Sequence, residues 1–245
     1  MLVFMQLHKT VGLLLRINGK TFSAIGFLLT AFILLSSSLK PIYADSLKAT
    51  NFTSSELKGL AGHYSTIVGY VHVRVNGQKV HTRIKGKTII LTKKNNGRIY
   101  PTYKLLGLFP IKLGDVSFAT KNNKNKHQVI MFSKKKGKKE SRMIAGEKFT
   151  PLAIPNVWKA RLGSYKAKIL TGKSGIKKIR LAIQNGVLVA FINKLKTPYP
   201  LLAKSNADLT SPSAGHNNDQ PIKVTAVKKV LQLRYGSNSL VLTKI

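Results

Sequence analysis

The chain reads as all-β: two tandem small antiparallel barrels or half-barrels following an N-terminal leader. Three observations carry this expectation. Short segments alternate apolar and polar residues and stop at Asn-Gly or Lys-Gly pairs, the signature of hairpins. Helical periodicity is confined to one short stretch. One set of residues also recurs about a hundred positions further on, as in an internal repeat.

The leader comes first. Residues 1–20 carry Lys9, Arg16 and Lys20, residues 22–35 form an apolar run, and a serine step leads to Ile42-Tyr43-Ala44. A basic start, a short apolar core and a small residue at the end define a secretory signal. Cleavage after Ala44 would divide the chain into a signal peptide (1–44), a first β module (45–150) and a second (151–245). The rival reading is an uncleaved membrane anchor, because the apolar run extends toward ~18 residues, the lower limit for a span. The expected location is the periplasm or the exterior.

A helical turn is expected over residues 54–60, with a serine cap and Glu56 ahead of apolar positions. Strands follow at 70–75 and 78–84 around Asn76-Gly77, then at 87–92, 98–106, 111–119, 128–133 and 142–145. In the second module the expected strands are 176–183 and 187–192 around Asn185-Gly186, then 222–227, 229–235 and 240–244. Residues 205–220, rich in Ser, Asn, Pro and Gly, read as a surface loop. Trp158 reads as a core anchor, and strand tyrosines such as Tyr70 as buried or half-buried.

Three matches define the repeat. Residues 57–64 (LKGLAGHY) match 158–165 (WKARLGSY) at an offset of 101, Gly86 matches Gly186 at 100, and Tyr100-Pro101 matches Tyr199-Pro200 at 99. Residues 145–155 read as the join. The pattern LxxLAGHYS, the hairpin IRLAIQNGVLVAFI and the segment TPYPLLAKSNADL together resemble the lipocalin-like C-terminal domain of β-lactamase-related serine hydrolases. That resemblance covers most of residues 57–245 and is better in the second copy. It implies a small antiparallel barrel acting as an accessory module, and it implies no catalytic residues.

Charge is the strongest pointer to function. The 245 residues include 42 Lys and Arg against 7 Asp and Glu, a formal charge of +35, which falls to +31 if Lys9, Arg16, Lys20 and Lys40 leave with the signal. Between Leu57 and Lys139 nineteen bases stand against one acid, Asp115. Such an imbalance predicts an anionic partner. A two-residue turn at Asn76-Gly77 would set 75 opposite 78 and His72 opposite His81. Alternation then puts Tyr70, His72, Arg74, Lys79, His81 and Arg83 on one face and Val71, Val73, Val75, Val80 and Ile84 on the other. Loop lysines at 121–126 and 134–139 flank the strand 128–133. The candidate anion-binding residues are therefore His72, Arg74, Lys79, His81, Arg83, Lys134, Lys135, Lys136, Lys138 and Lys139.

Other chemistries fare worse. Cysteine is absent, so disulfides, thiolate zinc sites and cysteine nucleophiles are excluded. Ser55-x-x-Lys58 and Ser174-x-x-Lys177 have a serine-hydrolase spacing, but no Ser-Asp-Asn or Lys-Thr-Gly partner follows, and neither serine has a convincing helix beneath it. The seven acids are too scattered for a glycosidase pair or a calcium site. His72 and His81 lack a third metal ligand. No catalytic residue, metal or cofactor is expected. The expected function is non-enzymatic binding of a polyanion: anionic lipid or lipopolysaccharide, acidic polysaccharide or nucleic acid. The alternatives are a lipocalin-like carrier of an apolar small molecule, or an accessory or regulatory subunit that binds a protein partner.

Overall fold

Hydrophobic alternation closes into two antiparallel barrels in tandem. The computed structural model describes residues 47–105, 109–112, 115–123, 126–134, 137–193, 198–212, 221–228 and 230–245. The predicted signal segment lies outside the described residues. Helix α1 (Ser54–Leu60) precedes the first sheet. That sheet comprises β1 (Gly62–Thr66), β2 (Gly69–Asn76), β3 (Lys79–Ile84), β4 (Lys87–Lys93), β5 (Ile99–Leu105), β6 (Phe109–Lys112), β7 (Val116–Asn123), β8 (Lys126–Ser133) and β9 (Ser141–Phe149). Its order is β4-β3-β2-β1-β9-β8-β7-β5-β6, and the additional β4–β5 pairing closes an eight-strand ring with β6 attached to β5.

Helix α2 (Asn156–Lys159) leads into the second sheet: β10 (Gly163–Thr171), β11 (Lys178–Gln184), β12 (Val187–Ile192), β13 (Tyr199–Ala203), β14 (Asp208–Thr210), β15 (Lys223–Val227), β16 (Val230–Tyr235) and β17 (Asn238–Lys244). It is a closed barrel in sequence order. Both rings are up-and-down meanders in which the last strand pairs with the first, so neither ring leaves an open edge.

Each barrel is closed by the same clasp. Tyr64 on β1 stands opposite Lys148 on β9, and Tyr165 on β10 stands opposite Lys244 on β17. The tyrosine hydroxyls donate back to the end of the preceding helix segment, Tyr64 to Leu60 O at 2.9 Å and Tyr165 to Arg161 O at 2.5 Å. The lysines cross beneath, Lys148 Nζ donating to Gly59 O at 2.7 Å and Lys244 Nζ to Ala160 O at 3.3 Å. Cations near the carbonyl end of a helix satisfy acceptors that the helix itself cannot. Gly62 and Gly163 start the first strands at φ of 136° and 131°, a region that L side chains rarely adopt.

The 101-residue offset is therefore structural at the start of each barrel. The other two matches are not. Gly86 lies between the third and fourth ring strands and Gly186 between the second and third. Tyr100-Pro101 belongs to the fifth ring strand and Tyr199-Pro200 to the fourth. By ring position, Gly186 corresponds to Gly77, in the β2–β3 turn.

The β2–β3 register also differs from expectation. Asn76 pairs with Lys79 and Arg74 with His81, so the two-residue turn is Gly77-Gln78. Gly77 has φ of 55° and occupies the first central position, as a type II′ turn requires. Gln78 is tied down as its Oε1 accepts Phe52 N at 3.1 Å. The shift is two residues, so every side chain keeps its predicted face. The expected strand 111–119 is two, β6 ending at Lys112 and β7 starting at Val116, and other departures are smaller. β14 interrupts the predicted 205–220 loop, anchored by Leu209 in the core. The cap of α1 is Thr53, which forms a capping box with Glu56. Ser55 does lie on that helix, exposed, as is Lys58.

The second barrel's interior is a contiguous apolar cluster built on Trp158, Ile179, Leu181, Leu188, Leu201, Leu209, Leu233, Leu240 and Leu242. Trp158 is fully buried and donates Nε1 to Ser205 O at 2.9 Å. Each such leucine contributes about 1.5–3 kcal/mol by leaving water. The first interior holds Phe52, Leu60, Tyr64, Val71, Val73, Val80 and Ile99. Between the barrels, the outer face of β2 meets the outer face of β12: Tyr70 packs with Val187 and Val189, flanked by Phe149 and Phe191. Tyr70 N donates to Pro198 O at 2.6 Å, and Ser65 Oγ donates to Pro212 O at 3.3 Å.

A basic cleft at the junction of the barrels

The outward residues of β2 and β3 do not all face solvent freely, because the turn between β11 and β12 closes over part of them. The result is a cleft of about 280 Å³. Tyr70, His72 and Arg74 line it from β2, His81, Thr82 and Arg83 from β3, and Thr88 from β4; Gln184 and Asn185 come from the second barrel. None of the nine is a carboxylate.

Pairing explains the arrangement. Arg74 is opposite His81, and Arg83 is opposite Thr88, so both guanidiniums rise from neighbouring strands on one face. Arg74 Nη2 donates to Asn185 Oδ1 at 2.7 Å, which fixes one arm of its fork from the other barrel. Its Nε lies 3.5 Å from His72 Nδ1, long for a hydrogen bond. Arg83 Nε donates to Gly86 O at 3.2 Å in the β3–β4 turn. Asn185 and Gly186 have φ of 50° and 76°, the type I′ geometry that an Asn-Gly pair favours, so the asparagine is presented by a stiff turn.

Behind the arginines lies an aromatic stack. His63 on β1 is paired with His72, their ring centroids 4.5 Å apart and their planes 2° from parallel. His63 Nδ1 and Tyr70 OH are 2.8 Å apart. Burial, followed by the neighbouring His72 and Lys148 charges, holds His63 below the ordinary imidazole range. Burial and then Arg74 lower His72, with Asn185 opposing. Burial pushes the Tyr70 phenol up, although Asn185 and Arg74 pull it back. The stack is thus neutral at neutral pH, and the fixed positive charge of the cleft is that of Arg74 and Arg83.

Four predicted site residues, His72, Arg74, His81 and Arg83, come together here. Lys79 sits at the β2–β3 turn, outside the lining. Lys134, Lys138 and Lys139 are exposed in the β8–β9 connection, and β8 stands across the ring from β3; Lys135 and Lys136 lie outside the described residues. The structure therefore separates the predicted set into a cleft and a distant loop. His63, Thr82, Thr88, Gln184 and Asn185 escaped the sequence reading; Asn185 was visible only as a hairpin turn. The three glutamates among the described residues are each paired elsewhere, Glu56 with Lys93, Glu140 with Arg98 and Glu147 with Lys126. Among the described residues, no three His, Asp or Glu gather as a metal site.

Fold and site together define a tandem up-and-down β-barrel protein with a basic cleft shared by its two barrels. Comparison with protein families, with curated proteins and with solved structures finds no match for this chain.

Proposed function

We propose that this chain is a non-enzymatic, exported binding protein that engages an anionic ligand through the cleft between its barrels. One observation carries the reading: Arg74 and Arg83 converge with Thr88, Gln184 and Asn185 in a concave site without a carboxylate. Paired guanidiniums bind carboxylates and phosphates by forked hydrogen bonds. The surrounding charge, +31 without the signal segment, would draw a polyanion to the surface before the cleft engages it. Export rests on the sequence of residues 1–44, and no helix of the described residues is long and apolar enough to cross a membrane. The packed leucine interior of the second barrel weighs against an apolar-ligand carrier built on that barrel.

The test is retention on heparin resin. Elution should shift steeply with salt, as phosphate or sulfate contacts release counterions. The double variant Arg74→Glu, Arg83→Glu should elute well before Lys138→Glu, Lys139→Glu. Equal shifts would mean diffuse charge, and retention indifferent to salt would defeat the reading.

A further inference from the structure

The geometry points to a phosphorylated sugar as the group the cleft recognises: a compact phosphomonoester carried on a hydroxylated ring, held jointly by both barrels. This deepens the anion-binding reading and rests on it. Three features separate such a ligand from the interior of a long polyanion. A polymer backbone needs a long track of cations, whereas this cleft, bounded by the β2–β4 face and the β11–β12 turn, measures about 280 Å³, just below the usual span of small-molecule pockets. Two permanent cations, Arg74 and Arg83, match a phosphomonoester, which carries about −1.5 to −2 charges at pH 7.

The third feature is the neutral wall. Gln184, Asn185 and Thr88 bring amides and a hydroxyl to the same recess. Side-chain amides both donate and accept, which suits sugar hydroxyls, and a site built to pair a hydroxyl discriminates strongly against a ligand lacking it. Asn185 has a directed role. Its oxygen accepts Arg74 Nη2 at 2.7 Å, and the same amide bears on Tyr70 and His72 beside it. The asparagine therefore sets the arginine fork and puts a neutral amide beside it. The shared chemistry has two sources, the headgroup of a membrane glycolipid or a soluble sugar phosphate.

The experiment is calorimetric titration of the full chain at about 150 mM salt, where long-range attraction is screened. Glucose 6-phosphate should bind at least about tenfold tighter than inorganic phosphate or glucose, the worth of one or two added polar contacts. Asn185→Gly keeps the left-handed turn and removes the amide. It should lose about tenfold in glucose 6-phosphate affinity while its far-ultraviolet circular dichroism stays that of wild type. Vesicles of phosphatidylcholine doped with lipid A provide the second arm. Displacement of glucose 6-phosphate by them identifies a glycolipid headgroup as a source, and binding without displacement identifies a soluble ligand. The inference is overturned if glucose 6-phosphate binds no tighter than inorganic phosphate, or if Asn185→Gly binds it unchanged. Should heparin retention still depend on Arg74 and Arg83 in that case, only this inference falls; should it not, the anion-binding reading falls with it.

Discussion

Arg74 and Asn185 meet across the barrel junction at 2.7 Å although 111 residues separate them in the chain. The contact joins the most outward cation of β2 to the turn between β11 and β12. It makes the cleft a property of both barrels.

Because both partners are exposed, Arg74→Ala should cost no more than about 1 kcal/mol of stability. Tyr70→Ala should cost about 3–5 kcal/mol, as other buried aromatic truncations do, because Tyr70 is 3% exposed and packs on Val187 and Val189. Chemical denaturation checks both. A large loss at Arg74 would mean that polar contacts, rather than the apolar seam, hold the barrels together.

Stability should fall as pH drops from 7.5 to 5. His63, His72 and His127 all have folded values lowered by burial. In the unfolded chain they take up protons near the ordinary value of about 6.5. Between the lowered values and that one, the unfolded state binds more protons, so unfolding is favoured as acid is added. Thermal melts across this range should show the decline, and the variant His63→Gln, His72→Gln should flatten it. A melting temperature independent of pH would contradict the assignment.

Glycine at the start of each barrel should be irreplaceable, but unequally. Alanine at either site must adopt φ near 130°, a strain of order 1–3 kcal/mol. At Gly62 the new methyl would also come within 2.7 Å of Lys148 Cε, against 3.2 Å from Lys244 Cε at Gly163. Lys148 would have to swing aside and give up its bond to Gly59 O, so Gly62→Ala should be the more destabilising in equilibrium unfolding.

Leu233 is fully buried in the second barrel, and Leu233→Ala should cost about 2–5 kcal/mol through the cavity it leaves. The wild-type protein should not take an apolar fluorescent dye into this barrel. Dye uptake displaced by a fatty acid, with no loss in Arg74→Glu, would favour a carrier.

Much of the cleft was legible because strand alternation has a period of two. Tyr70, His72, Arg74, His81 and Arg83 keep their predicted side even though the β2–β3 turn moved from Asn76-Gly77 to Gly77-Gln78. Either turn buries the same valines, so burial could not choose between them; Gly77 at the turn and the Gln78–Phe52 contact do. Strands β1, β10 and β13 went unread because their runs, GHYST, GSYKAKILT and YPLLA, lack a clear period-two alternation, and in β13 a proline interrupts the run. The distance from Arg83 to Lys138 around the ring could not be read, since charge counts carry no topology. Asn185 belongs to a separate module, and nothing local to it reveals that Arg74 waits there.

The lysine clasps have a consequence for how the protein comes into being. Lys148 must reach Gly59 across 89 residues, and Lys244 must reach Ala160 across 84. Each ring is thus finished by the last strand of its own module, and until then its first strand is an open edge on which another chain could add. During synthesis from the N-terminal end, the first ring can lock while the second is still unmade. The cleft comes later still, since Asn185 follows the first clasp by 37 positions. Ligand recognition would accordingly be the final event of assembly, and a chain broken before Lys244 would carry the cations of the cleft without a sealed second barrel to frame them.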